Sequence, residues 1–243
     1  VAVQQSAEAM IYIDTQTAEI CLAAVDANVN ALRYIKRPTE EMCLTAIRED
    51  PYLLRCIKDQ TYEVCMLAVQ KFGLMLEHVH NKTTELCMAA VKQNWMALQY
   101  VPRQTEEICL AAVNVNPSAL QYVIEQNDEM CLTAVSFNGL NLQYVKNVTV
   151  KLSLIALEQN GLALQYITAM DQTYELCSVA VKQNGMALQF VGDKTRDLRL
   201  IAVQRNGLAL QYVEDQTEEI CLAAVKQNGY ALQYVDNQTA KIC

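Results

Sequence analysis

The chain has 243 residues, 52% of them hydrophobic and 19% charged, with a formal net charge of -8. That length can bury a sizeable core. The acidic balance is spread evenly with no basic tail or lobe, which argues against a phosphate-binding footprint and so against nucleic acid. Apolar runs of a few residues at most are too short for a membrane-spanning helix.

No signal peptide is visible at the start, and the chain opens on Val1 rather than Met, so a segment of a longer chain is expected. Residues 1–16 read as the latter part of a repeat unit. From Thr17 a 22-residue phrase recurs: CMAAVKQNWMALQYV at Cys87–Val101 returns as CLAAVKQNGYALQYV at Cys221–Val235. Cys21, Cys43, Cys65, Cys87, Cys109 and Cys131 stand 22 residues apart. Ser153 and Arg199 keep the phase, and Cys177, Cys221 and Cys243 resume it after a two-residue insertion near 167–171. Residues 17–238 are thus ten complete units, numbered here one to ten, and 239–243 begin another. The whole chain, 1–243, is expected to form a single repeat array.

Each unit reads as two short helices. It opens on Thr (Thr17, Thr39, Thr61, Thr83, Thr105, Thr149, Thr173, Thr195, Thr217) or Asn127. Both types are good N-caps, because the side-chain oxygen accepts a free backbone N–H of the first turn. Acidic residues such as Glu106, Glu107, Glu218 and Glu219 follow, where the helix dipole favours them. In unit ten the first helix spans Glu218–Gln227, with an apolar stripe of Ile220, Cys221, Ala224 and Val225. The position of Ala224 is Ala in every unit, which implies close approach of a neighbouring backbone.

An Asn-Gly corner follows. Left-handed glycine does not fit, since the same position holds Val29, Pro51, Trp95 and Pro117, and Pro fixes φ near about −65°. The Asn, or Asp50 before Pro51, reads instead as N-cap of a second helix with Pro well placed at its first position. That helix is expected over Tyr230–Val235, burying Leu232, Tyr234 and Val235 and turning Gln233 outward.

One unit cannot bury enough surface to offset the entropy of ordering it. Each supplies the wall its neighbour lacks, so the expected fold is all-α: an α-solenoid of helix-turn-helix units. The repeated phrase CLAAVKQNGxALQYV resembles the repeat family known as domain of unknown function 4116, over essentially the whole chain. The resemblance implies no chemistry and no catalytic residues. It implies an occurrence in intracellular bacteria, protists and large DNA viruses, hence in host cytoplasm or a virion. Units two and three depart most, at DPYLLRCI (Asp50–Ile57) and FGLMLEHVHN (Phe72–Asn81), as a specialised surface or as drift.

The cysteine spacing contains no CxxC or Cys/His cluster of zinc type. Cys is small and readily buried, so the ladder reads as core in a reducing, intracellular compartment, with no metal and no cofactor. His78 and His80 read as surface or rim side chains. No nucleophilic triad, P-loop or HExxH is present, and no enzyme is expected. The aromatic ladder (Tyr12, Tyr34, Tyr100, Tyr122, Tyr144, Tyr166, Phe190, Tyr212, Tyr234) reads as buried rings with rim hydroxyls.

Beside it run Gln99, Gln121, Gln143, Gln165, Gln189, Gln211 and Gln233. Gln beside Tyr is similar to modular RNA readers, but the charge weighs against that. These glutamines, with Tyr52 and Trp95, are the candidate partner-binding residues; Trp95 reads equally as an exposed anchor or as local packing. Function is expected to be a scaffold for a protein partner. The alternatives are a structural rod or spacer in an assembly, and the recognition part of an enzyme or effector whose active domain lies outside this segment.

Overall fold

A computed structural model describes residues 2–242; the expectations for Val1 and Cys243 lie outside the described residues. The chain is all-α, with no strand among the described residues. Its helices fall into two compact bodies, 1–124 and 125–243.

Every complete unit has the same two elements. The first is a ten-residue α-helix, from Ala18–Ala27 in unit one to Glu218–Gln227 in unit ten. Its cap is as expected: Thr217 Oγ1 accepts the Ile220 N–H at 3.4 Å, and Asn127 Oδ1 accepts the Met130 N–H at 2.9 Å. The acidic first turn is used in the same way. The Glu85 carboxylate accepts hydrogen bonds from its own backbone N–H and from the Thr83 side chain, which holds it below the usual carboxylate range.

The second element differs from the reading of the sequence. It is a six-residue 3₁₀ helix, it begins at the corner residue, and it ends one residue earlier, as Gly229–Tyr234. The tight winding follows from its start. A single extended residue joins the two helices: Asn228, at φ −150° and ψ 112°, donates its N–H to Ala224 O and caps the next helix by accepting the Tyr230 N–H. Asp50 does the same ahead of Pro51. Val235 then stands just past the helix and is buried, while Tyr234 is half-buried rather than fully buried.

Within each body, successive first helices pack on one another and successive 3₁₀ helices do likewise. The core is one layer deep: Ile108, Cys109, Ala112 and Val113 from the first helix of unit five, and Ala119, Leu120 and Val123 from its second part, are all buried. This is an α-solenoid, in which stability is summed over units and their junctions.

The close approach read from the invariant alanine is real, and glycine answers it. No glycine has positive φ among the described residues. A Cβ built on Gly73, Gly139, Gly161, Gly185 or Gly207 would instead overlap the carbonyl oxygen of the next unit's invariant alanine (Ala90, Ala156, Ala180, Ala202, Ala224). Where the corner carries a side chain, at Val29, Pro51 and Trp95, the second helices of the adjoining units pack less closely.

Candidate interaction surface

Two sets of glutamines sit at the junctions, and neither is apparent from the repeat alone. The last residue of a unit is often Gln. Gln60 Nε2 donates to Leu54 O at 3.3 Å and to His78 O at 3.0 Å, and its Oε1 accepts the His80 N–H at 3.0 Å. Gln216 repeats this with Val213 O at 3.5 Å, Tyr234 O at 2.8 Å and the Asp236 N–H at 3.1 Å. One side chain thereby ties the end of one unit to the end of the next. Gln16, Gln104 and Gln172 do the same. The second set lies at the end of the first helix. Gln93, Gln183 and Gln227 accept the N–H of the preceding unit's corner glycine (Gly73, Gly161, Gly207) at 2.6–2.7 Å.

The cysteine ladder belongs to the first set. Cys65, Cys109, Cys131, Cys177 and Cys221 are buried and free, and each thiol donates to the Oε1 of the clamping Gln at 3.4–3.7 Å. Where the clamp becomes Val148 or Lys194, the ladder residue becomes Ser153 or Arg199. Arg199 turns to the Asp215 carboxylate at 3.1 Å. Out of step, Cys56 is half-buried and accepts from Arg33 Nη1 at 3.5 Å.

Burial pushes the ladder thiols above their ordinary value of 9.0, Cys43 to about 11, with the Glu40 carboxylate adding to the effect there. Below pH 9 both folded and unfolded chains hold these protons, and the stabilisation is fully present. Above it the unfolded chain ionises first, so stability is lost progressively as pH rises towards about 11. Urea midpoints are expected to fall over that interval and to recover when the pH is returned; an unchanged midpoint contradicts the burial argument.

The predicted partner-binding residues divide in two. Trp95 is half-buried and packs on Tyr122 of the next unit, ring centroids 5.8 Å apart; Tyr52 packs on Phe72 at 5.2 Å but keeps 45% of its surface exposed. Both therefore help to join units, as aromatic pairs do. The glutamine row is exposed as expected. Gln99, Gln121, Gln165, Gln189, Gln211 and Gln233 each donate Nε2 to the carbonyl three residues back in their own 3₁₀ helix, at 2.9–3.1 Å. Their Oε1 atoms have no partner among the described residues; Gln143 is exposed too, without that donation. The row supplies one exposed acceptor per unit from unit four to unit ten; in units one to three the same position holds Arg33, Arg55 and Glu77.

Two recesses lie apart from the row. One of about 500 Å³ lies over the first helices of units four and five, between Met88, Lys92, Glu107 and Leu110. Another, about 300 Å³, lies by Asp59, Tyr62, Cys65 and His80. No group of three potential metal ligands occurs among the described residues, and none of its helices is long and apolar enough to cross a membrane.

The fold and its junctions define a helical-repeat protein of α-solenoid type. A family model described as a domain of unknown function (DUF4116) matches residues 61–104, 83–126, 173–216 and 195–238, together more than half of the chain, and the chain belongs to that family. Each match opens on a first-helix cap, Thr61, Thr83, Thr173 or Thr195, and spans two units. No curated protein and no solved structure matches the chain.

Proposed function

We propose that the protein is a non-enzymatic scaffold that presents an extended surface to a protein partner, with the glutamine row and the exposed part of Tyr52 as the contact residues. The observation that carries this reading is the division of labour among glutamines. Those at the junctions spend both ends of the amide on the fold, whereas those of the row spend the nitrogen on their own 3₁₀ helix and stand exposed, one to a unit from unit four onward. A partner with backbone N–H groups or polar side chains at a matching spacing would meet several weak acceptors at once, and repeated weak contacts add up strongly when linked. The row recurs in both bodies, and the free buried thiols support a reducing compartment.

A second reading is favoured by the junctions themselves. Backbone-to-backbone contact at glycine and alanine, reinforced by the clamps, suits a rod or spacer within an assembly. The two are separated by capture and cross-linking of a partner with the whole chain. The pair Gln99→Arg and Gln121→Arg leaves the junction residues intact, and is expected to lower capture about tenfold or more, the equivalent of 1.4 kcal/mol. Met88→Arg, on the first-helix side, is expected to leave it unchanged. Undiminished capture by the Gln variants rejects the scaffold surface described above.

A further inference from the structure

Three devices hold adjoining units together: glycine at the corner, the first-helix Gln that accepts the corner N–H, and the clamping Gln. The junction of units nine and ten has all three, in Gly207, Gln227 and Gln216. That of units seven and eight also has all three, in Gly161, Gln183 and Gln172. The junction of units one and two has none. Its corner is Val29, the first-helix position is Glu49 and the clamp position is Pro38. Proline offers neither an amide side chain nor a backbone N–H, and valine brings the Cβ that the close approach excludes.

The packing reflects this. Of all the successive first helices within either body, Ala18–Ala27 and Glu40–Glu49 pack least closely. Val29 is half-buried, where the well-joined corner glycines are buried. Among the described residues, the side-chain hydrogen bond that crosses this junction is the weak one from Arg33 Nη1 to Cys56 Sγ, at 3.5 Å. The junction before it also lacks a corner glycine, at Ala7, and Ala18–Ala27 packs only loosely on Ala7–Tyr12, but a clamp holds that junction and the 3₁₀ helices Ala7–Tyr12 and Val29–Tyr34 pack closely. Gln16 Nε2 donates to Met10 O at 3.2 Å and to Tyr34 O at 3.0 Å, and its Oε1 accepts the Lys36 N–H at 2.9 Å.

We infer that the junction of units one and two is a yielding joint, at which residues 2–37 open away from unit two as one piece. Their internal clamp stays closed, and the chain between Ile35 and Thr39 acts as the hinge. Opening of this kind is a sub-global event, with a free energy below that of global unfolding. It uncovers the buried faces of Leu32 on one side and of Met42 and Ile47 on the other. The inference does not depend on which of the two functional readings is right.

Hydrogen exchange on the whole chain tests it. Amides of the helices Ala7–Tyr12, Ala18–Ala27 and Val29–Tyr34 are expected to share one opening equilibrium. It should be at least about tenfold more populated than that of units nine and ten, a difference of 1.4 kcal/mol. The variant V29G/P38Q/E49Q installs all three devices and is expected to slow exchange in those helices by about the same factor. Glycine for valine and glutamine for proline both add freedom to the unfolded chain, so slowing would run against that bias. The reverse transplant, G207V/Q216P/Q227E, is expected to raise exchange in unit ten while units three to five keep their rates. Uniform protection across the units, a gradient from residue 2 onward that V29G/P38Q/E49Q leaves unchanged, or unaltered exchange in unit ten of the reverse variant would each overturn the proposal.

Discussion

Gly207→Ala is expected to destabilise the protein by at least about 2 kcal/mol, while Gly229→Ala is expected to be neutral or to stabilise it by up to about 1 kcal/mol. The two glycines occupy the same place in their units: each follows an Asn cap and opens a 3₁₀ helix. Neither has positive φ, so the added methyl costs nothing in backbone conformation at either site. It reduces the freedom of the unfolded chain at both, an effect worth about 0.4–1 kcal/mol in favour of folding. The difference is steric. At Gly207 the methyl overlaps the Ala224 carbonyl oxygen, whereas at Gly229 nothing among the described residues lies within 4 Å. Overpacking against a backbone atom costs about 1–3 kcal/mol or more, because no side chain can rotate away. Urea melts of the two variants, with m compared to detect loss of cooperativity, give the answer; two shifts of the same sign would remove the explanation offered for the glycines.

Gln216→Ala is expected to cost about 2–4 kcal/mol, and Gln211→Ala less than about 1 kcal/mol. The two side chains are five residues apart and chemically identical. Gln216 serves two units at once: besides the exposed Asp236 N–H, it partners the part-buried Tyr234 O and the thiol of Cys221. Truncation strands those groups, and each buried group left without a partner costs about 1–3 kcal/mol. Gln211 makes one exposed bond to Leu208 O, for which water substitutes. The Cys221 thiol adds a second readout: with its acceptor gone and the junction loosened, it is expected to react faster with a thiol reagent in Gln216→Ala than in Gln211→Ala. Equal stabilities for the two variants would reduce the clamp to an ordinary surface contact.

Much of this architecture was legible in the residues. The period, the Thr and Asn caps, the bounds of the first helix and the meaning of the invariant alanine all follow from local rules, and local rules hold in every unit. Reading the corner as a helix start from Pro51 and Pro117 was sound, because proline excludes the left-handed alternative outright. The winding of the second helix was less accessible: six residues contain too few turns for a period of 3.0 to differ from one of 3.6.

The candidate site was legible in part. The outward glutamine row follows from its place on the 3₁₀ helix, but the use of Trp95 does not. Its partner Tyr122 lies 27 positions further along, and which ring meets which depends on how one unit settles on the next. The clamping glutamines escaped for a similar reason. They sit in the linkers, they give way to Pro38, Lys82, Val148 and Lys194, and the partners that reach the next unit are backbone atoms, which leave no trace in composition. Gln and Cys are lost together at Val148/Ser153 and Lys194/Arg199, but Cys43 and Cys87 persist beside Pro38 and Lys82, so the sequence carries only half a signal for them.

The single residue that closes one helix and opens the next leaves no slack inside a unit. A residue added at Asn228 would have to abandon either the bond to Ala224 O or the cap on Tyr230. The linker between units tolerates more. At 167–171 it carries two additional residues as a turn, with the Asp171 N–H on Thr168 O at 2.9 Å, and Gln172 still reaches Phe190 O at 3.0 Å. A change of length is therefore absorbed in the linker between units and not within a unit, and the Ala169–Met170 tip, with Met170 92% exposed, is where a label, a cleavage sequence or a grafted loop is expected to be accommodated.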